Sequence, residues 1–220
     1  TVVSIFINPT QFNNKTDYKK YPRNLKKDLK ILKKLKVNFV YTPIKNEVYR
    51  SKNKIKIHLS KKDKILCAKY RKGHFEGVID VMCRLTNIVK PEKIFMGEKD
   101  FQQLILVKKY IENNFKSKVI LCKTIRDKNK LALSSRNLLL KKGDQIKAGK
   151  IAKALISFKK KFFKRKITKK LIFTKKNELE KLYGVNIEYL ELRNKKNLKL
   201  SNRINHSKIF LGYYLKNIRL

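Results

Sequence analysis

The apolar residues of this chain follow two alternating periods, which predict strands and helices in turn. Residues 1–7 are β-branched and alternating, which is typical of a strand. Leucines recur every three or four positions among lysines over residues 24–36, which predicts an amphipathic helix with Asn24 as its N-cap. Residues 37–42 predict a second strand that ends at Pro43. A strand, a helix and a strand in this order begin a parallel sheet.

The alternation continues through the middle of the chain. A helix is predicted over residues 75–89, and it is followed by a strand over 94–96, a helix over 101–113 and a strand over 118–122. Residues 44–70 are polar without a clear period and stay unassigned. Alternating strands and helices predict an α/β domain with a parallel sheet over residues 1–139.

The pattern changes near residue 140. Two lysine-rich amphipathic helices are predicted over residues 151–163 and 171–183, and two strands follow over 185–192 and 208–215. Helices followed by strands predict a smaller α+β domain over residues 140–220.

Composition narrows the class of protein. No apolar run is long enough to cross a bilayer, so we expect no membrane partner. The three cysteines fit no zinc spacing and no disulfide framework, so we expect free thiols in a reducing cytoplasm. The net charge of +42 would attract polyanions. Because the lysines are spread along the whole chain without a nucleic-acid-binding motif, we expect no specific nucleic-acid partner.

Three clusters of polar residues follow predicted strands, at residues 8–12, 97–103 and 124–137. The carboxyl ends of parallel strands meet at one edge of a sheet, so we expect these clusters to form one site. Their amides suit a small ligand with hydroxyl and carboxylate groups. Their cations, and the helix start after Gly97, suit the phosphates of a nucleotide. The sequence contains no glycine-rich dinucleotide turn and no P-loop, which excludes the usual phosphate cradles.

Five motifs in chain order resemble those of the pantoate–β-alanine ligases, also called pantothenate synthetases. Any one of them is weak evidence, whereas the ordered set is strong. Residues 188–193 also resemble the second domain of this family. The motifs are Asn8-Pro9-Thr10-Gln11-Phe12, Tyr21-Pro22-Arg23, Gly73-His74-Phe75-Glu76-Gly77-Val78, Gly97-Glu98-Lys99-Asp100-Phe101-Gln102-Gln103 and Ser134-Ser135-Arg136-Asn137.

The resemblance implies a Rossmann-like nucleotidyl-transferase domain and a smaller lid domain, assembled as a cytoplasmic homodimer. It implies that pantoate and β-alanine are condensed to pantothenate with ATP and Mg²⁺. The carboxylate of pantoate would attack the α-phosphate of ATP and release pyrophosphate. The amine of β-alanine would then attack pantoyl adenylate and release AMP. No protein nucleophile is needed, so catalysis would come from positioning and from charge stabilisation.

The resemblance also implies roles for individual residues. Gln11 and Gln103 would hold pantoate, with Gln11 also near β-alanine. Asn8 would lie beside them, and His74 near the substrate pocket. The catalytic residues would be Lys99, which would neutralise phosphate charge, and Ser134, Ser135 and Arg136 of a mobile phosphate-binding loop. The full set that would bind ATP is Gly97, Glu98, Lys99, Asp100, Ile125, Leu133, Ser134, Ser135 and Arg136.

These residues also have ordinary structural interpretations. Gln11 would be a turn residue, Lys99 a solvated charge and Ser134 part of a helix cap. His74 would cap or pack at a helix start. One alternative function is a degenerate, non-catalytic protein that binds nucleotides or RNA through its basic surface. Another is an adenylyl- or cytidylyltransferase of the same superfamily, against which the paired glutamines argue because those relatives use different pockets for their second substrate.

The sequence departs from the family pattern at its start. The family carries an upstream strand and a HxGH-type motif that binds ATP and supplies a catalytic histidine, and these 220 residues contain no such motif. We therefore expect further residues upstream of Thr1, and little ligase activity from these 220 residues alone. Leu133 stands where methionine is usual, and Lys27 stands where an acid often precedes Asp28.

Overall fold

A computed structural model describes residues 1–50, 57–163 and 165–220 of the chain. Residues 51–56, which belong to the stretch 44–70 that the sequence leaves unassigned, and Lys164 lie outside the described residues. The chain divides into two compact units, Thr1–Lys123 and Thr124–Leu220, each with a hydrophobic core of its own.

The first unit is built on two pairs of parallel strands. Strand β1 (Val2–Ser4) pairs with β2 (Phe39–Tyr41), and strand β3 (Lys93–Gly97) pairs with β4 (Lys118–Cys122). Parallel strands need a crossover connection, and helices supply it in both pairs. The parallel pairing confirms the α/β class predicted from the alternation of strands and helices.

Local chemistry explains where the two best-defined helices of this unit begin. The Asn24 side chain accepts a hydrogen bond from the backbone N–H of Lys27 (3.1 Å), as expected of an N-cap. Gly73 precedes the longest helix of the first unit with a φ of 77°, in the left-handed region that favours glycine. The helices are α1 (Lys15–Lys20), which the sequence did not predict, α2 (Leu25–Lys34), α3 (Lys45–Val48), α4 (Cys67–Tyr70), α5 (His74–Val89) and α6 (Phe101–Asn114).

The core of the first unit lies between α5, α6 and strand β4. Ile79, Leu106 and Ile111 are almost completely buried there, together with Val119 of β4. Burying each such side chain contributes about 1.5–3 kcal/mol. Helix α5 also packs against the 3₁₀ turn Pro9–Gln11, so the core fixes the helix on which that turn rests.

The leucine face of α2 is left open. Leu25, Leu29 and Leu35 are 45%, 40% and 68% exposed, and Phe39 of β2 is 69% exposed. The periodicity therefore predicted this helix correctly, while the described residues do not bury its apolar face.

The second unit combines two helices with an antiparallel sheet. Helix α7 spans Lys142–Lys161 and α8 spans Lys169–Tyr183. Ile151, Leu179, Ile187 and Leu215 are buried between these helices and the sheet. The order of helices followed by strands confirms the predicted α+β arrangement. Its strands are β5 (Asn186–Asn194), β6 (Ser207–Leu215) and β7 (Ile218–Arg219).

The division between the units falls earlier in the chain than the domain boundary at 139/140 predicted from the sequence. Residues 124–139 belong to the second unit. Gly149 of α7 lies against the Asn129 backbone so closely that a Cβ would come within 2.6 Å of its carbonyl oxygen. Leu131 and Leu140 also join the core of that unit. These contacts attach the loop to α7.

The composition predicts free thiols and no membrane partner. All three cysteines are free, as predicted, with Cys83 buried and Cys122 exposed. Burial raises the pKa of the Cys83 thiol to about 11, so it stays protonated at neutral pH. Among the described residues, no helix is both long enough and apolar enough to span a membrane.

Candidate functional site

Asn8, which caps the 3₁₀ turn Pro9–Gln11, is the most buried polar residue of the predicted site, with 1% exposure. Its Nδ2 donates to the Gly77 carbonyl of α5 (3.0 Å). Its Oδ1 accepts from the Thr10 backbone N–H (3.2 Å), the Thr10 hydroxyl (3.0 Å) and the Tyr49 hydroxyl (2.8 Å). These bonds occupy the amide at both ends, which fixes the turn Pro9–Gln11 on α5.

Tyr49 is a member of this cluster that the sequence did not identify. Its ring lies under the Arg84 guanidinium, whose central carbon is 4.7 Å from the ring centroid, and Arg84 Nε donates to Asp80 (2.9 Å). Burial raises the pKa of the Tyr49 phenol, so its hydroxyl remains a hydrogen-bond donor near neutral pH. Only a tertiary contact joins Tyr49 to Asn8, and no local pattern in the polar stretch 44–70 signals it.

Gln11 is held through its backbone carbonyl. Its carbonyl oxygen lies 2.7 Å from His74 Nδ1, and Arg71 Nη2 donates to the same oxygen at 3.4 Å. Its side-chain amide makes no hydrogen bond within the described part of the chain. His74 is 6% exposed and belongs to the packing at the start of α5.

A second cluster follows strand β3, where the 3₁₀ turn Glu98–Asp100 runs directly into α6. Lys99 Nζ donates to Asp100 Oδ1 (3.2 Å), with side chains 36% and 62% exposed. A pair this exposed contributes at most about 1 kcal/mol, so both charges remain usable by a ligand. A Cβ placed on Gly97 would meet no atom within 4 Å, which leaves open space beside the turn.

The two adjacent glutamines in the first turn of α6 differ in their contacts. Gln102 is 4% exposed, and its Nε2 donates to the carbonyls of Asp63 (3.1 Å) and Ile65 (2.7 Å). Gln103 is half-buried, and within the described residues its amide makes no hydrogen bond. Gln102 therefore holds a neighbouring loop, whereas the ligand-binding role of Gln103 stays a prediction from the motif.

The remaining predicted residues lie in the second unit. The Leu133 backbone N–H donates to the Ile125 carbonyl (3.0 Å), which closes a small loop with both side chains exposed. The Ser134 hydroxyl accepts from the Arg136 backbone N–H (3.3 Å) and so caps the 3₁₀ turn Ser135–Leu139. Ser134 thus has a capping role of its own in the folded chain.

The structure thus gathers the predicted residues into three local groups. Asn8, Gln11 and His74 form one group and residues 97–103 a second in the first unit, and Ile125 with residues 133–136 forms a third in the second unit. Helix α5 packs against both the Pro9–Gln11 turn and α6. In the described ranges, no group of three or more His, Cys, Asp or Glu residues could hold a metal ion by itself.

Comparison with known proteins matches the whole chain to one family. The family model described as "Pantoate-beta-alanine ligase" covers residues 1–220. A pantothenate synthetase of Endomicrobium trichonymphae is 39% identical over 198 residues, which cover 88% of this chain and 69% of that protein. A pantothenate synthetase of Flavobacterium psychrophilum is 37% identical over 100% of this chain and 80% of its own length.

Solved structures show the same similarity. A pantothenate synthetase from Thermus thermophilus superposes with a TM-score of 0.90 at 28% identity, over 100% of this chain and 80% of that one. A pantoate–β-alanine ligase from Francisella tularensis, solved in complex with β-γ ATP and β-alanine, superposes with a TM-score of 0.81 at 35% identity. That match covers 100% of this chain and 76% of the Francisella chain.

Proposed function

The chain belongs to the pantoate–β-alanine ligase family, and we propose that it joins pantoate to β-alanine through a pantoyl adenylate. The observation that carries the proposal is the pair of glutamines in the family motifs. Gln11 and Gln103 are the two motif residues whose side-chain amides stay without a hydrogen bond among the described residues. Such amides can donate to a carboxylate and accept from hydroxyls, which are the polar groups of pantoate.

The proposed chemistry has two steps. A carboxylate oxygen of pantoate attacks the α-phosphorus of ATP, the bond to the bridging oxygen breaks, and pyrophosphate leaves. The amine of β-alanine then attacks the acyl carbon of the adenylate, loses a proton and displaces AMP. Because both nucleophiles belong to the substrates, the protein contributes alignment and stabilisation of charge on phosphorus.

Pantoate would lie between the two glutamine amides. Gln11 would also be near β-alanine, which allows one side chain to align both substrates. Asn8 would act mainly by holding the turn, since its carboxamide is already engaged by Gly77, Thr10 and Tyr49. This division predicts that substitution of a glutamine changes substrate affinity more than it changes stability.

The family motifs imply which residues would hold ATP. Gly97 and Glu98 would line the nucleotide, Lys99 would neutralise phosphate charge, and Asp100 would accept hydrogen bonds from the ribose. The Ile125 backbone would touch adenine. The mobile phosphate-binding loop would comprise Leu133, Ser134, Ser135 and Arg136. These roles are proposals that rest on the family motifs.

Mg²⁺ fits this arrangement as a companion of ATP. The exposed Asp100 and the half-buried Glu98 offer single carboxylates, and no larger cluster exists among the described residues. Mg²⁺ is commonly held by one or two carboxylates together with substrate phosphates. When bound, it would neutralise charge on the phosphates. The proposal also includes a homodimer in the cytoplasm. Light scattering of the purified chain would test the dimer.

A stable analogue tests the adenylate directly. We expect a sulfamoyl analogue of pantoyl adenylate to bind the chain at least about 100-fold more tightly than pantoate, because it joins two ligands in one molecule. Isothermal titration calorimetry measures both dissociation constants. An analogue that binds no more tightly than pantoate or ATP alone would contradict the proposed intermediate.

A further inference from the structure

Two side chains that the proposed reaction does not use hold the backbone carbonyl of Gln11. His74, the first residue of α5, brings Nδ1 to 2.7 Å from this oxygen. Arg71 donates from Nη2 to the same oxygen at 3.4 Å, and its Nη1 lies 2.8 Å from His74 Nε2. His74 is 6% exposed, so protein atoms rather than bulk water surround both ring nitrogens.

The hydrogen-bond partners determine the tautomer of His74. A guanidinium can only donate, so His74 Nε2 must accept from Arg71. A carbonyl can only accept, so His74 Nδ1 must carry the proton that it donates to Gln11. The neutral Nδ1–H imidazole satisfies both contacts. A doubly protonated ring would set an N–H group against the guanidinium and place two positive charges in contact.

Residues 71–77 contact residues 8–13, which we call the substrate loop, at further points. Asn13 Nδ2 donates to the Lys72 carbonyl at 2.5 Å. Asn8 donates to the Gly77 carbonyl, and a Cβ on Gly77 would lie 2.7 Å from the Thr10 carbonyl oxygen. Residues 71–77 are therefore hydrogen-bonded to the substrate loop at several positions between its two ends.

We infer that Arg71 and His74 are positioning residues for Gln11, with His74 held as the neutral Nδ1–H tautomer. The inference rests on the proposed function, because the Gln11 side chain is the group that pantoate and β-alanine would contact. His74 acts through the Gln11 backbone and not on a substrate, since both ring nitrogens face protein atoms. Arg71 fixes the ring orientation that makes this possible.

Binding measurements on the full chain test the positioning role. We expect His74→Leu to raise the dissociation constant for pantoate about tenfold, because one buried hydrogen bond to the substrate loop is lost. The dissociation constant for ATP should stay unchanged. His74→Asn retains a donor near the position of Nδ1 and should restore most of the pantoate affinity. Arg71→Lys, at a half-buried position, supplies a second variant should His74→Leu fail to fold.

Thr86→Val is the matched control. Thr86 is also buried in α5, and its hydroxyl donates to the Met82 carbonyl (2.7 Å), away from Gln11. This variant should lose a comparable hydrogen bond and keep both affinities. Equal pantoate affinity in wild type, His74→Leu and Arg71→Lys would overturn the inference, as would a loss of pantoate affinity in Thr86→Val equal to that in His74→Leu.

Nitrogen-15 NMR of the imidazoles supplies a readout that a packing role would not produce. The chain has three histidines, so the His74→Asn spectrum assigns the His74 signals. We expect a protonated Nδ1 and an unprotonated Nε2 at pH 7 in wild type. An Nε2–H tautomer would overturn the inference even if pantoate binds. Failure of wild type to bind pantoate, with the Nδ1–H tautomer present, would instead overturn the proposed function.

Discussion

At the residue scale, the first group is a buried hydrogen-bonding network around one asparagine. Asn8 makes four hydrogen bonds and has 1% exposure, so bulk water cannot readily replace a partner that is removed. Tyr49 supplies the shortest of these bonds (2.8 Å) from a distant part of the chain. The orientation of the substrate loop therefore depends on residues that would not touch a substrate.

Tyr49→Phe removes this bond and keeps the ring that stacks on Arg84. We expect the free energy of unfolding to fall by about 1 kcal/mol and pantoate affinity to fall several-fold, because Asn8 loses a partner. Tyr110→Phe is the control, since the Tyr110 hydroxyl donates to the His58 carbonyl (3.0 Å) instead. Denaturant unfolding and calorimetry measure both quantities. Equal pantoate affinities in the two variants would exclude a link from Tyr49 to the loop.

Gly97→Ala tests whether the open space beside the second cluster belongs to a nucleotide. The φ of −70° is allowed for alanine and a Cβ meets no atom within 4 Å, so the fold should keep its stability or gain about 0.4–1 kcal/mol. We expect ATP affinity, measured by calorimetry, to fall about tenfold or more if the nucleotide occupies that space.

Gly143→Ala is the companion variant for Gly97→Ala, because a Cβ added at Gly143 of α7 would also have nothing within 4 Å. It should stabilise the helix by about 0.5–1 kcal/mol and leave ATP affinity unchanged. Unchanged ATP affinity in Gly97→Ala would place the nucleotide elsewhere.

At the element scale, the first turn of α5 is the surface on which the Pro9–Gln11 turn rests. Gly77 is required there by close approach, since any Cβ would come within 2.7 Å of a backbone oxygen. The motif 73–78 therefore has a structural explanation: Gly73 starts the helix with a positive φ, and Gly77 admits the loop.

Gly77→Ala should displace Thr10 and with it the turn. We expect a loss of about 1–3 kcal/mol in the free energy of unfolding, typical of overpacking, together with weaker pantoate binding. Gly149→Ala creates a similar clash, with a Cβ 2.6 Å from the Asn129 carbonyl oxygen, in the second unit. It should lose stability and retain pantoate affinity. Loss of pantoate affinity in both variants would indicate general destabilisation.

Periodicity predicted most elements because local pattern determines them. The strand Lys118–Cys122 and the helix that starts at Phe101 were predicted at their observed positions. The start of α7 was predicted at residue 151 and lies at Lys142, because lysines, glycines and Gln145 obscure the apolar period of its first turns. Within the candidate site, the motifs predicted Gln11 and Gln103 as ligand-binding residues, and this stays a prediction. They missed Tyr49 and Arg71, whose contacts with Asn8 and with the Gln11 carbonyl join residues far apart in the sequence.

At the scale of the whole molecule, the net charge of +42 makes non-specific attraction of polyanions a physical expectation. Salt separates this attraction from substrate binding. Any RNA binding constant should fall by about 10³-fold or more between 50 and 200 mM salt, because many phosphate contacts release counterions. Pantoate carries one charge, so its binding constant should change by less than about tenfold over that range. Electrophoretic titration measures RNA binding, and calorimetric titration measures pantoate binding.

The central claim is that Gln11 and Gln103 hold pantoate. Calorimetric titration of pantoate into wild type, Gln11→Ala, Gln103→Ala and the control Gln145→Ala tests it most directly, since Gln145 donates to the carbonyls of Asn137 and Leu140 instead. We predict saturable binding to wild type and Gln145→Ala, and at least about tenfold weaker binding to the other two variants. Absence of pantoate binding to the wild-type chain, or equal affinity in all four proteins, would contradict the account.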